Sequence, residues 1–132
     1  MLKLGDYKYL VTCADIQKIG DKCLTINIVA IADDDNIPEE LGEIQFTSDF
    51  RDANLFKDKY IEYNSPHGLI NTVEFDDITK SVLNIRNIDK TTKTISFKWT
   101  GTANVNWNEK LGKNVPFEID LITKYKFVMQ YL

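Results

Sequence analysis

The chain has 132 residues, 43% of them hydrophobic, 27% charged and 11% aromatic, with a net charge of −4. That size and balance specify one globular domain with a full core and exclude a disordered chain. No stretch is long and apolar enough for a membrane-crossing helix, and the N-terminal MLKLGDYKYLV has neither a leader-type apolar run nor a lipidation pattern.

The expected compartment is therefore the cytoplasm, with no membrane partner. Residues 1–79 carry 7 basic and 16 acidic side chains, while residues 80–132 carry 9 and 4. This asymmetry suits attraction between two halves of one sheet, or an acidic face offered to a basic partner. No basic run occurs anywhere, which argues against nucleic acid, because phosphate contacts dominate that affinity.

Strand signals begin at once. YKYLVTCADIQKI, then Gly20-Asp21-Lys22, then CLTINIVAIA reads as a hairpin with a three-residue turn. Its register sets Ile19 opposite Cys23, Ala14 opposite Ile28, Cys13 opposite Val29 and Val11 opposite Ile31. Apolar residues on both faces predict a ribbon covered on both sides. Cys13 and Cys23 stand about 20 Å apart in this pairing, too far for a disulfide, so reduced, packed thiols are expected.

The segment ADDDNIPEELGE follows as a loop holding Asp33, Asp34, Asp35, Glu39, Glu40 and Glu43 without a basic residue. It resembles no calcium loop, since Ile37 stands where a third acidic ligand belongs and the turn glycine is missing. EIQFTSDF alternates as a strand with Ile44, Phe46 and Phe50 on one side. Phe50, Ala53, Phe56, Tyr60 and Ile61 make an imperfect helical stripe, capped by Ser48 or Asp49, and predict one short helix in 49–63. The turn at Asn64 to Gly68 contains His67, the lone histidine, and LINTVEF is a strand.

SVLNIRNID and KTISFKW flank a turn at Lys90 to Thr92, with Leu83 opposite Trp99, Ile85 opposite Phe97 and Asp89 opposite Lys93. VPFEIDLITKYKF alternates as a long strand. Pairing Trp107 with Val115 sets Ala103 by Ile119, Gly101 by Leu121 and Trp99 by Thr123. Trp99, Gly101, Ala103 and Trp107 thus share the core face, where small residues opposite large ones interdigitate. The predicted fold is all-β with at most one short helix: an antiparallel sandwich or strongly curved, barrel-like sheet of 6–8 strands in a single domain.

The chemical inventory is thin. One histidine and two separated cysteines cannot build a structural zinc site, and no nucleophile elbow, P-loop or dinucleotide motif occurs. Asp76-Asp77 offers paired carboxylates for a hydrolase, the weakest of three readings. The leading expectation is a non-catalytic protein-binding domain of inhibitor, immunity or accessory type. It needs no cofactor or metal and uses Asp33, Asp34, Asp35, Glu39 and Glu40 toward a basic protein. The alternative is a ligand-binding β domain for an apolar molecule or carbohydrate, with Phe97, Trp99, Gly101, Ala103, Trp107 and Tyr125 lining the pocket. Thr100, Thr102, Asn104, Asn106 and Asn108 on the other face form a run of short polar residues suited to a protein or a sugar. The apolar C-terminus, FVMQYL, is a core strand end or the edge of a homo-oligomer.

Overall fold

The computed structural model describes residues 1–20, 22–33, 35–37, 39–51, 62–65, 69–71, 75–105 and 112–129. Among these residues ten strands run β1 (Leu2–Leu4), β2 (Tyr7–Ile19), β3 (Cys23–Ala32), β4 (Glu43–Arg51), β5 (Glu62–Ser65), β6 (Leu69–Asn71), β7 (Phe75–Asp89), β8 (Thr94–Val105), β9 (Gly112–Lys124) and β10 (Lys126–Val128), with one 3-10 turn at Glu39–Leu41. No α-helix occurs among the described residues. Their hydrogen-bonded order is β1-β9-β8-β7-β6-β4-β3-β2, and β2 pairs back with β1. The sheet therefore closes into a barrel, which removes the free edges that an open antiparallel sheet would expose.

Two short strands complete the wall. β5 and β6 pair with β7 in one continuous register, Ser65 opposite Ser81 and Leu69 opposite Asp77, so they act as one interrupted strand. The seam between β2 and β9 is bridged by β1 at Tyr7 to Tyr9 and by β10, parallel to β2, at Gln17 to Ile19.

The period-2 pattern sorts the side chains. Leu24, Ile26, Ile28 and Ala30 of β3, Ile44, Phe46 and Phe50 of β4, Ile95, Phe97, Trp99 and Ala103 of β8, and Val115, Phe117 and Ile119 of β9 all point into the barrel. Trp99 is fully buried at the centre, with Phe46, Phe50 and Phe117 meeting it edge-on at centroid distances of 6.1, 5.7 and 5.4 Å. Each such ring pair adds about 1 kcal/mol beyond the burial of area.

Several expectations need correction. Asp49, Phe50 and Arg51 belong to β4 and Glu62 and Tyr63 to β5, not to a helix, while 52–61 lie outside the described residues. The β2–β3 register holds from Ile19–Cys23 to Cys13–Val29, then shifts at a bulge, so Val11 meets Ala30 and Leu10 meets Ile31. The second face of this hairpin is not covered: Leu10 and Ile31 are exposed there. Cys13 is exposed and Cys23 half-buried, so the free thiols are not core groups. The β8–β9 register lies four residues from the expected one, with Ala103 opposite Val115, Gly101 opposite Phe117 and Trp99 opposite Ile119. A shift by an even number keeps every side chain on its face, which is why the core assignment survives. Asp76 and Asp77 lie within β7, opposite Ile70 and Leu69, not after a strand.

Candidate functional site

Alternate connections fall on the same rim of an antiparallel barrel. The β1–β2 turn at Gly5-Asp6 and the β3–β4 connection share one rim, and the β2–β3 and β7–β8 turns share the other with the start of β10. At about 3.3 Å per residue, strands of this length tilted as in typical barrels separate the rims by about 30 Å.

The first rim carries the acidic connection. Its backbone is held from within: Leu41 is fully buried and Ile37 nearly so, and the Tyr9 hydroxyl donates to the Leu41 carbonyl at 2.9 Å. Burial raises the Tyr9 phenol beyond any physiological titration, so this bond persists at all working pH. Gly42 N donates to Glu39 O at 3.0 Å and Ala32 N to Gly42 O at 2.7 Å, closing the loop at its base. Asp33, Asp35 and Glu39 are exposed on this anchored loop, as are Asp6 and Glu43 beside it. Asp34 lies outside the described residues, and Glu40 is described only as part of the 3-10 turn.

The tryptophan face is the barrel interior. Phe97, Trp99 and Ala103 are completely buried and Tyr125 almost so. The space between Lys18, Leu24, Ile88, Ile95 and Tyr125 admits no water-sized sphere. The indole N–H of Trp99 has no acceptor, a deficit its ring contacts must outweigh. Trp107, Asn106, Asn108 and His67 lie outside the described residues.

Concavity lies on the outer wall instead, across β1, β9, β8 and β7. A groove of about 490 Å³ is lined by Lys3, Lys80, Thr100, Gly101, Thr102, Pro116 and Glu118, among others. Two bulges flank it, in β7 between Ile78 and Lys80 and in β9 between Gly112 and Val115, opposite Val105 and Ala103. The β7 bulge drives the Lys80 carbonyl into the volume that a side chain at 101 would occupy: a Cβ on Gly101 would stand 2.0 Å from that oxygen. Glu118 is paired with Lys98 at 2.9 Å, and Asp120 with Arg86, which also donates to Phe97 O at 3.1 Å. The Arg86 hydrogen bond, more than its charge, holds the Asp120 carboxyl below its usual range. Neither Lys3 nor Lys80 joins these ion pairs.

Thr100 and Thr102 were visible in the sequence as a polar strand face, but Lys3, Lys80 and Pro116 were not, because they reach the groove from three other strands. Among the described residues, no three His, Cys, Asp or Glu side chains gather as a metal-binding group. No helix there is long and apolar enough to cross a membrane. Comparison with protein-family models, curated proteins and solved structures gives no match.

Proposed function

We propose that this barrel is a non-catalytic binding domain that engages a basic protein partner through the acidic loop of its β3–β4 rim, as an inhibitor, immunity-type or accessory protein would. One observation carries the reading: Asp33, Asp35 and Glu39 are exposed on a loop whose backbone is pinned by the buried Leu41 and the Tyr9 hydroxyl. A pinned loop loses little conformational freedom on binding, and its carboxylates steer a cationic partner before contact. Free thiols accord with a reducing compartment, so the cytoplasm is the proposed location.

The test uses a variant with Asp33, Asp34 and Asp35 changed to Asn and Glu39 and Glu40 to Gln. Proteins retained from native extract by the wild type at low salt are compared with those retained by the variant. A stoichiometric basic partner lost from the variant, and lost from the wild type as salt rises, supports the reading. A partner retained equally by both removes the acidic loop from the mechanism.

The outer groove favours a second reading, a site for a small polar ligand such as a carbohydrate. Its hydroxyls and two lysines outside the ion pairs offer both donors and acceptors within about 490 Å³. Chemical shifts of Thr100 and Gly101 should move on titration with a sugar acid and stay fixed in Lys3→Met, Lys80→Met protein. Equal shifts in both proteins would refute it.

A further inference from the structure

The β2–β3 rim, opposite the acidic loop, assembles something that no stretch of the sequence contains. Lys18 and Lys93 come from different ends of the chain, yet their ammonium groups lie 5.1 and 5.9 Å from the ring centroid of Phe127. The Lys124 ammonium donates to Thr92 O at 3.2 Å, and Tyr125 N donates to Lys93 O at 2.9 Å. Gly20 N donates to Val128 O at 2.9 Å, which holds the turn bearing Lys22 against β10 and Lys126. With Lys90 in the β7–β8 turn, five exposed lysines, Lys22, Lys90, Lys93, Lys124 and Lys126, stand on this rim around β10, while Lys18 beneath Phe127 is buried. Within this basic ring, Phe127 is 50% exposed and Met129 72% exposed.

Among the described residues, the carboxylates nearest these lysines, Asp89 and Asp49, are fewer than the exposed ammonium groups. The Asp89 carboxylate accepts the Thr91 and Thr92 amides at 2.9 and 3.1 Å, so it is turned into its own loop. Asp49 and Arg51, flanking Cys23 at the end of β4, offset each other.

We propose that this rim is a docking surface for an anionic membrane, with the lysines meeting acidic headgroups while Phe127 and Met129 enter the interface. Charge complementarity selects the occupant, because an anionic leaflet attracts each nearby lysine and accepts exposed apolar side chains among them. The shape agrees. The lysines stand on turns and a strand end at a barrel rim, which meets a plane, whereas single-stranded nucleic acid calls for a basic groove with successive stacking aromatics. Phe127 is the one exposed aromatic on this rim among the described residues. The acidic loop, about 30 Å away at the other rim, lies several Debye lengths from the bound surface and is turned toward the surrounding solution. This expectation differs from the absence of a membrane partner read from the sequence, which considered spanning segments and lipid attachment. It holds whether or not the acidic loop has a protein partner.

The test is co-sedimentation of the full chain with vesicles of phosphatidylcholine alone and of phosphatidylcholine with about one-third phosphatidylserine. Binding is expected only to the second kind, weakening as salt rises. Lys90→Gln and Lys126→Gln, both at exposed positions, should each lower partitioning about fivefold. Met129→Ser should lower it several-fold and leaves β10 intact if Phe127→Ser disturbs the fold. Neutralising Asp33, Asp35 and Glu39 should not reduce it. Equal partitioning onto both vesicles, or onto acidic vesicles regardless of the two lysine changes, overturns the proposal. So does absence of vesicle binding by a protein that retains an acidic polypeptide or a single-stranded oligonucleotide through the same lysines.

Discussion

Replacing Gly101 by alanine tests the geometry on which the barrel wall and its outer groove both depend. The added Cβ would stand 2.0 Å from Lys80 O, 2.8 Å from Ser81 Cα and 3.0 Å from Lys80 C. These are backbone atoms of the paired strand, so no side chain can rotate aside. Relief demands that β7 and β8 separate by more than about 1 Å, which lengthens ladder hydrogen bonds beside the β7 bulge. Overpacking of this kind costs about 1–3 kcal/mol where side chains can adjust and more where the backbone must move. About 3 kcal/mol is expected, a large part of a typical stability of about 5–15 kcal/mol. For 132 residues, an unfolding entropy of about 2.1 cal/mol/K per residue converts that to a fall in Tm of about 10 °C. Urea unfolding followed by circular dichroism, with a parallel thermal scan, measures both quantities. A Gly101→Ala protein within about 0.5 kcal/mol of the wild type would refute the close β7–β8 approach.

Trp99→Ala should cost about 3–5 kcal/mol by urea unfolding, and Trp99→Phe distinctly less, because phenylalanine keeps ring contacts while removing an N–H that lacks an acceptor. Equal losses would refute the view of Trp99 as the centre of a packed interior. Asp120 and Asp89 are held below the usual carboxylate range, the first by Arg86 and the second by the Thr92 and Thr91 amides. A depressed folded pKa stabilises above the unfolded value and loses that effect as pH falls through the folded one. Asp120→Asn and Asp89→Ala should therefore be less stable than wild type at neutral pH, by under about 1 kcal/mol for the exposed Asp120 pair, with the gap closing in acid. A gap unchanged by acid would exclude these carboxylates as the cause. Cys13 is exposed, whereas burial raises the Cys23 thiol pKa, so a thiol reagent near pH 8 should modify Cys13 first. Equal rates would contradict the outer-wall bulge that presents Cys13.

The limits of the sequence reading are physical and local. In the β2–β3 hairpin the turn at Gly20 (φ 58°) sets the register, which holds until one extra residue enters β2 between Val11 and Cys13. No periodic pattern announces such an insertion. In β8–β9 the alternation fixed the buried face but not the pairing, since shifts of two or four residues preserve the pattern. Charge could have decided it. The expected register sets Lys98 opposite Lys124, a like-charge pair, whereas the observed one sets Lys98 opposite Asp120 with Glu118 and Arg86 close by. Phe50 fits both the strand alternation of Ile44 and Phe46 and the helical stripe expected over 49–63; the ladder settles it in β4, opposite Leu24.

The charge asymmetry needs a different count from the one the linear chain invites. Counting by halves suggests attraction between an acidic half and a basic half. The ladders do not support it. β2, β3 and β4 pair chiefly with one another, as do β7, β8 and β9, and the halves meet only through short pairings such as β1–β9 and β10–β2. Both ion pairs among the described residues, Arg86–Asp120 and Lys98–Glu118, lie within the second half. An antiparallel barrel instead sends successive connections to opposite rims. Asp6, Asp33, Asp35, Glu39 and Glu43 reach one rim and Lys18, Lys22, Lys90, Lys93, Lys124 and Lys126 the other, although Lys18 and Lys22 belong to the acidic half. Charges fixed at opposite rims about 30 Å apart attract each other weakly across solvent and contribute little to stability. Their consequence is orientation: among the described residues, the molecule presents mainly carboxylates at one end and mainly ammonium groups at the other. A lysine moved from the basic to the acidic rim would leave the net charge at −4 and yet weaken both proposed contacts, which net charge alone would never predict.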